Sequence, residues 1–239
     1  MLKFENLHIG FKNGKNKRLL LKTSDIQFQQ GNFAALIGPN GSGKTTFFNT
    51  ILGLHSPLSG EMILNGKNLN DLSKKEKVKK FGFVPSKILG VNHLTTYDLI
   101  ATGRAPHTNF LNRLSDNDKE IIQSIIEQLG LEELAHKNTL NLSDGERQIA
   151  MIGKALAQET DVVILDEPTA FLDYKNRRKV LSILQNITEN QRKIVLLSSH
   201  DLSLCFEFCN RIIAIDNKVK KLKSYPKPFD SEEIIKEIF

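Results

Sequence analysis

The stretch GPNGSGKTT, which begins at Gly38, constrains the fold of this chain more than any other. It follows the apolar run FAALI and precedes TTFFNTILGL, whose apolar spacing is typical of a helix. Gly38 to Thr45 match the pattern G-x-x-x-x-G-K-[ST], in the strand–loop–helix context that this pattern requires. Glycines let backbone N–H groups converge on phosphate oxygens, and the helix N-terminus adds about half a positive charge. The stretch therefore predicts a nucleotide site in an α/β fold.

The side chains of this P-loop suggest separate roles in holding a nucleotide. We expect Lys44 to reach the β- and γ-phosphates and the Thr45 hydroxyl to ligate Mg²⁺. An ordinary glycine-rich turn is the alternative, but at background frequencies such a match would arise in roughly one chain in a hundred of this length. The loop residues expected to contact the nucleotide are Gly38, Asn40, Gly41, Ser42, Gly43, Lys44, Thr45 and Thr46.

Charged and polar side chains follow two apolar runs that resemble buried strands. In VVILDEPT the run ends at Asp166 and Glu167, and in IVLLSSHD it leads to His200. Ligands bind at the carboxyl ends of strands in open α/β sheets. We expect Asp166 to contact Mg²⁺, Glu167 to polarise the attacking water, and His200 to hold base and water in register. The alternatives are surface acids at a strand end and a structural histidine. Beside the P-loop, the predicted catalytic residues are Glu167, His200 and Lys44.

Strand and helix patterns alternate along the chain, as in an α/β protein. The runs VVIL and IVLL are typical of central strands that are covered on both faces. LKFENLHIGF alternates apolar and polar residues and predicts an edge strand. From about residue 86 the pattern becomes helical, with a helix cap expected at Thr95 and a helix end at Gly130. We predict an α/β core made of residues 1–85 and 158–239, with a helical insertion at 86–157.

The composition permits several partners and selects none. The net charge is +6 and the pI about 9.2, but the lysine-rich SKKEKVKK is most simply a solvated helix face, because no aromatic residues are interleaved through it. No apolar run reaches the length of about 18 residues that spans a bilayer. The N-terminus lacks the apolar core of a secretory signal, so we expect a cytosolic chain. Cys205 and Cys209 are expected to be reduced thiols.

The stretch NLSDGERQ predicts a second helix N-terminus that is suited to an anion. Ser143 and Glu146 have the spacing of a capping box. With Gly145, this N-terminus offers a hydroxyl, free N–H groups and a positive dipole end, and such a contact contributes on the order of 0.3–2 kcal/mol. A capped helix without a ligand is the alternative.

GPNGSGKTT, LSDGERQ, ILDEPTAFLD and LLSSHD, in that order and spacing, resemble the nucleotide-binding subunits of ABC transporters. The resemblance covers essentially the whole chain. It implies a P-loop NTPase (RecA-like) α/β core with an N-terminal antiparallel β subdomain and an inserted α-helical subdomain. It also implies hydrolysis of ATP to ADP and phosphate, with Mg²⁺. In that family the signature motif completes the ATP site of the other subunit, so one P-loop and one signature per chain imply a two-fold homodimer. The signature residues here are Ser143, Asp144, Gly145 and Glu146.

The resemblance extends to further positions. Leu172 and Asp173 match the loop that communicates between the two ATP sites, and Phe11 lies where an aromatic ring stacks on adenine. The alternative interpretation of Phe11 is a core residue of an edge strand.

Three positions depart from the family pattern. Asp144 stands where Gly is usual and Glu146 where Gln is usual; a carboxylate near a triphosphate is unfavourable unless it points away or pairs with Arg147. Ser86 replaces a Gln that contacts Mg²⁺ and couples the site to the membrane subunit. Ser86 is too short to do both, so we expect slower hydrolysis without its loss.

The segment LTTYDLIATGRAPHTNFLNRLSDND resembles importers of iron–siderophore complexes, haem and cobalamin, which often carry a Gly-Arg-x-Pro-His run like that at Gly103 to His107. A polar surface loop is the alternative interpretation of Arg104 and His107. The resemblance implies ATP, membrane-embedded permease subunits and a separate solute-binding protein as partners, no nucleic acid, and a peripheral location on the cytoplasmic face of the inner membrane. Docking would use Ser86 and residues 87–110.

Two rival functions stay open on the sequence. A soluble ABC ATPase that acts on nucleic acid or ribosomes would usually carry two cassettes or a long coiled-coil insertion. A GTPase switch would need an Asn-Lys-x-Asp element, and the nearest stretch, which begins at Asn217, lacks the Asp.

Overall fold

A computed structural model of the chain describes residues 1–14, 16–109 and 113–238. The strands of this part are β1 (Leu2–Asn13), β2 (Asn16–Thr23), β3 (Ile26–Phe28), β4 (Phe33–Ile37), β5 (Ser59–Leu64), β6 (Lys67–Asn68), β7 (Phe81–Val84), β8 (Val162–Leu165), β9 (Ile194–Ser198), β10 (Arg211–Asp216) and β11 (Lys221–Pro226). The helices are α1 (Lys44–Ile51), α2 (Lys74–Val78), α3 (Thr96–Ala101), α4 (Asp116–Leu129), α5 (Asp144–Ala157), α6 (Tyr174–Asn190), α7 (Leu202–Phe208) and α8 (Ser231–Ile238).

The strands form one mixed sheet in the order β6-β5-β1-β2-β11-β10-β4-β9-β8-β7, and β3 pairs with β1. The N-terminal strands are antiparallel, whereas β10, β4, β9, β8 and β7 pair in parallel. This is the α/β architecture that the sequence predicts.

The prediction that β1 lies at an edge is wrong, because β1 pairs with β2, β3 and β5. An alternating pattern shows only that one face is buried, and the strands that cover both edges of β1 come later in the chain.

The parallel strands bring the predicted catalytic residues to one edge of the sheet. Every residue of β4, β8 and β9 is buried, as expected for strands with helices on both faces. β9 lies between β4 and β8. The P-loop, Asp166 and His200 follow the ends of these three strands and therefore lie next to one another.

Helices α3, α4 and α5 pack together within the predicted insertion. Ile100, Ile122, Ile126 and Ile152 are buried in one hydrophobic core that also includes one face of the parallel strands. Thr95, Ser115 and Ser143 each close a capping box, and Gly130 ends α4 with φ +67°. The caps predicted at Thr95, Ser143 and Gly130 are thus confirmed. The division into subdomains at residues 86 and 157 stays a prediction.

The Gly-Arg-x-Pro-His run fastens the C-terminal end of α5. Arg104 is 3% exposed, so the alternative of a polar surface loop is wrong for this residue. Its guanidinium donates to Asp118 at 2.8 Å, to the Ala157 carbonyl at 2.7 Å and to Glu159 at 2.7 Å. A Cβ added to Gly103 would lie 2.2 Å from the Lys154 carbonyl oxygen, so only glycine permits this close approach.

None of the helices within the described ranges is long and apolar enough to cross a membrane. Cys205 and Cys209 are buried free thiols, as expected.

Candidate active site

The P-loop joins β4 to α1 and forms one wall of an open cavity of about 230 Å³. Gly41 and Gly43 have φ values of +75° and +102°, a backbone region in which other residues are strained. A Cβ added to Gly38 would lie 2.9 Å from the Cβ of Ile215. The cavity is lined by Asn40, Gly41, Ser42, Gly43, Lys44, Thr45, Ser86, Asp166, Glu167 and His200.

Two polar groups of the loop are suited to an anion. The Lys44 ammonium is buried, and its Nζ donates to the carbonyls of Gly38 at 2.7 Å and Pro39 at 3.2 Å. Burial lowers the pKa of Lys44, while the carboxylates of Glu167 and Asp166 oppose that shift. The buried Oγ of Ser42 has no hydrogen-bond partner within the described part of the chain. A phosphate oxygen would give the Ser42 hydroxyl a partner, since unpaired buried polar atoms are costly, and would give the Lys44 ammonium an anion to pair with.

Asp166 is held by hydroxyl groups from two other segments. Thr45 Oγ1 donates to Asp166 Oδ2 at 2.8 Å, and Ser198 Oγ donates to Asp166 Oδ1 at 2.6 Å. Ser198 Oγ also accepts from the backbone N–H of Glu167 at 2.9 Å. Sequence reasoning missed Ser198. The sequence signal for Ser198 was its place at the end of an apolar run, as Asp166 also has. Leu165 of β8 pairs with Leu197 of β9, so the residues that follow, Asp166 and Ser198, are neighbours across the sheet.

The oxygen ligands at this position fit Mg²⁺. Thr45 and Asp166 would hold the ion, which prefers oxygen donors and keeps several from water and phosphate. No three His, Cys, Asp or Glu side chains among the described residues are grouped to enclose a metal by themselves. The residues therefore suit a cation that arrives with a nucleotide.

Glu167 has the environment of a general base. Its backbone has φ +52°, an unfavourable region for a non-glycine residue that costs on the order of 1–3 kcal/mol and is common at functional sites. Burial raises the pKa of the Glu167 carboxyl, while the charges of His200 and Lys44 oppose that shift. A raised pKa makes a carboxylate a better proton acceptor near neutral pH.

His200 lies against Glu167 without forming a hydrogen bond. Its Nε2 is 2.8 Å from Glu167 Oε1, and the buried Oε1 accepts no hydrogen bond within the described part of the chain. The imidazole of His200 therefore covers the buried Oε1 atom and is placed to orient the Glu167 carboxylate. The His200 side chain is 52% exposed, so it can also reach a ligand in the cavity.

Several predicted ligand residues lie outside the cavity lining. The Phe11 ring is 46% exposed and contacts His55 edge-on, with centroids 6.0 Å apart. Ser143 is exposed at the start of α5, and Asp173 caps α6 through the Asn176 N–H at 2.8 Å. The roles predicted for these residues stay predictions.

The two carboxylates that depart from the family signature have partners on their own helix. Arg147 Nη1 donates to Asp144 Oδ1 at 2.7 Å. Glu146 accepts from the Ser143 N–H at 2.7 Å, and this bond lowers the pKa of Glu146. Arg147 also donates to the carbonyls of Thr139 and Leu142. Asp144 is therefore paired with Arg147, as a carboxylate near a triphosphate requires, while Glu146 is held by the helix cap.

Comparison with known proteins identifies the family. A model of the ABC transporter family matches residues 21–170, which is more than half of the chain. The chain belongs to the ABC transporter family. The achromobactin transport ATP-binding protein CbrD of Dickeya dadantii is 31% identical to this ABC cassette over 226 residues, 95% of this chain and 84% of the relative. The iron(3+)-hydroxamate import ATP-binding protein FhuC of Bacillus subtilis is 32% identical over 238 residues, 100% of this chain and 87% of the relative.

A solved structure gives the same fold. The ATP-binding cassette MJ0796, in a dimeric post-hydrolysis state bound to ADP and Pi, has a TM-score of 0.81 and 27% identity, with coverage of 95% of this chain and 98% of that one. The predicted P-loop NTPase fold and the resemblance to ABC cassettes are thus confirmed. As a member of this family, the chain is an ATPase.

Proposed function

We propose that this ABC cassette works as a head-to-tail homodimer whose ATP hydrolysis powers uptake of a ferric siderophore complex. The observation that carries the dimer is the position of Ser143. This N-cap residue is exposed at a helix N-terminus suited to an anion, yet it lies outside the lining of the cavity in its own chain. A second copy could place the same N-terminus against the γ-phosphate.

In the proposed reaction the residues of one chain bind and activate while the other chain closes the site. Lys44 exchanges its loop carbonyls for the β- and γ-phosphates, and the free Ser42 hydroxyl binds a phosphate oxygen. Glu167 accepts the proton of the attacking water, and His200 holds Glu167 and the water in register. Mg²⁺ carried by Thr45 and Asp166 would neutralise phosphate charge. Loss of the γ-phosphate removes the contact with Ser143, so the dimer opens.

The substrate class is supported by two kinds of similarity. The two relatives named above take part in achromobactin transport and iron(3+)-hydroxamate import. The segment from Leu94 to Asp118 carries a Gly-Arg-x-Pro-His run, which resembles a run often found in such importers. Haem and cobalamin are the other cargoes of that class. These relatives do not favour the alternative of a soluble ATPase acting on nucleic acid or ribosomes.

The proposed assembly includes integral permease subunits and a separate solute-binding protein, with the cassette peripheral at the cytoplasmic face of the inner membrane. Ser86 and the segment that follows it would dock on the permease. The predicted docking range, residues 87–110, ends outside the described residues.

Dimer formation by the Glu167→Gln variant tests the proposed function. The variant should bind ATP and hydrolyse it at least about 100-fold more slowly, since it lacks the base. With Mg-ATP it should therefore run as a stable dimer in size-exclusion chromatography with light scattering. A variant that stays monomeric in saturating Mg-ATP would contradict the proposal.

A second substitution locates the contact. Ser143→Ala added to Glu167→Gln should weaken the ATP-dependent dimer. Ser73→Ala is the matched control, because Ser73 also closes a capping box at an exposed helix N-terminus. Either change removes a cap worth about 0.5–2 kcal/mol, but only the first should affect the dimer.

A further inference from the structure

Arg177, in the first turn of α6, bridges two segments next to the active site. Its Nε donates to the Leu172 carbonyl at 2.8 Å, and its Nη1 lies 3.5 Å from Asp201 Oδ2. Its backbone N–H donates to the Asp173 carbonyl at 2.9 Å. The guanidinium is a rigid planar fork, so a displacement of one acceptor changes its contact with the other.

Asp201 is held in place for this contact. Its Oδ1 caps α7 by accepting from the Leu204 N–H at 3.2 Å, and its own N–H donates to Ser199 Oγ at 3.1 Å. The second carboxylate oxygen, Oδ2, is the one that faces Arg177. Since His200 is the preceding residue, a shift of Asp201 moves the backbone that carries the catalytic histidine.

The other end of the bridge lies against the signature helix. A Cβ added to Gly145 would be 3.1 Å from the Phe171 carbonyl oxygen and 3.2 Å from Leu172 Cδ2. The start of α5 therefore packs directly on the loop whose carbonyl Arg177 binds. A continuous path of contacts runs from Gly145 through Leu172, Arg177 and Asp201 to His200.

We propose that Arg177 is a positioning residue that couples the signature helix of one chain to His200 of the same chain. The proposal rests on the head-to-tail dimer proposed above, in which that helix serves the ATP bound by the partner. Closure of α5 on the partner's ATP moves the 171–173 loop, and Arg177 carries the movement to Asp201 and His200. Each ATP site thereby sets the histidine of the other.

Steady-state ATP hydrolysis by Arg177→Gln and Asp201→Asn tests this role. Asn keeps an acceptor for the α7 cap but loses the charge that faces Arg177. Both variants should lower kcat about 2- to 10-fold. The ATP concentration at half-maximal rate should stay unchanged, and the Hill coefficient for ATP should fall toward 1. The double variant should be no slower than Arg177→Gln, since two changes in one contact are not additive.

Arg178→Gln is the matched control. Arg178 also links α6 to α7, through a two-pronged pair with Glu207, but its contacts do not include Leu172 or Asp201. It should keep the kcat and Hill coefficient of the unmodified protein. If Arg177→Gln does not fold, as judged by its urea midpoint, Asp201→Asn carries the test.

Two results would overturn the coupling: unchanged kcat and Hill coefficient in Asp201→Asn, or equal losses in Arg177→Gln and Arg178→Gln. The Glu167→Gln dimer assay separates this failure from failure of the proposed function. If the Glu167→Gln variant forms the ATP-dependent dimer but Arg177→Gln leaves kcat and the Hill coefficient unchanged, the coupling is refuted and the proposed function stands.

Discussion

Asp166 and Glu167 are neighbours in sequence but have different surroundings because of a single hydroxyl, that of Ser198. Ser198 donates to the Asp166 carboxylate and accepts from the Glu167 N–H. Asp166 is thereby fixed beside Thr45, while the Glu167 backbone is held at φ +52° and its carboxylate lies against His200. Ser198 thus gives these two adjacent carboxylates the different surroundings that the predicted roles of metal ligand and base require.

Ser86 lines the cavity at the position where the family has Gln. We predict that Ser86→Gln raises the rate of ATP hydrolysis, by up to about 10-fold, because the longer amide can reach Mg²⁺ and the attacking water. The rate is measured in saturating Mg-ATP.

Lys87→Gln controls for a general effect of an added amide, because Lys87 is the exposed next residue. An unchanged rate in Ser86→Gln would show that this position does not limit hydrolysis.

At the scale of elements, the buried Arg104–Asp118 pair fastens α4 and α5 to the segment that follows α3. Hydrogen bonds from the Ser115 hydroxyl and N–H, together with Arg104, lower the pKa of Asp118 to about 2. The unfolded value is about 3.9. Because the folded pKa is the lower one, this stabilisation is present above about pH 4 and is lost as the pH falls toward 2.

We predict that Asp118→Asn unfolds at lower urea than the unmodified protein at pH 7, because Arg104 loses a buried charged partner. The difference in free energy of unfolding should shrink as the pH is lowered from 4 toward 2. Urea titrations at pH 7, 4 and 3 measure it.

The control for this test is Asp116→Asn, whose exposed carboxylate pairs with Lys119 at the surface; it should change stability little. A difference in the free energy of unfolding for Asp118→Asn that is as large at pH 3 as at pH 7 would contradict the assigned linkage.

At the scale of the whole molecule, the proposed dimer distributes each ATP site over two chains. In that arrangement Lys44→Ala damages the site on its own P-loop, whereas Ser143→Arg damages the site on the partner. Each homodimer should be inactive. A mixed dimer, however, contains one site that carries both defects and one that is intact.

We predict that mixing the two variants restores measurable ATP hydrolysis, at most about one quarter of the normal rate, because half of randomly exchanged dimers are mixed and half of their sites are intact. Loss of the proposed coupling between the sites would lower this rate further. Mixing Lys44→Ala with Glu167→Gln should restore nothing, since both defects belong to the P-loop side. A mixture of the first two variants that stays inactive would place Ser143 outside the partner's site.

What the sequence determined by itself was local. The P-loop, the acidic end of β8 and the caps at Thr95, Ser143 and Gly130 follow from backbone conformation and hydrogen bonds between near neighbours. Such rules need no knowledge of the remaining chain. Together with the order of the motifs, they sufficed for the α/β fold and the family.

Only the tertiary structure decided which distant residues meet. Thr45 and Asp166 are 121 residues apart, Arg104 and Glu159 are 55 apart, and β1 lies inside the sheet because β2 and β5 flank it. Ser198 and Arg177 look ordinary in sequence, and their contacts exist only once separate strands and helices are packed. Closing these long loops costs entropy that the assembled core must offset, so the pairings belong to the whole fold and not to any segment of it.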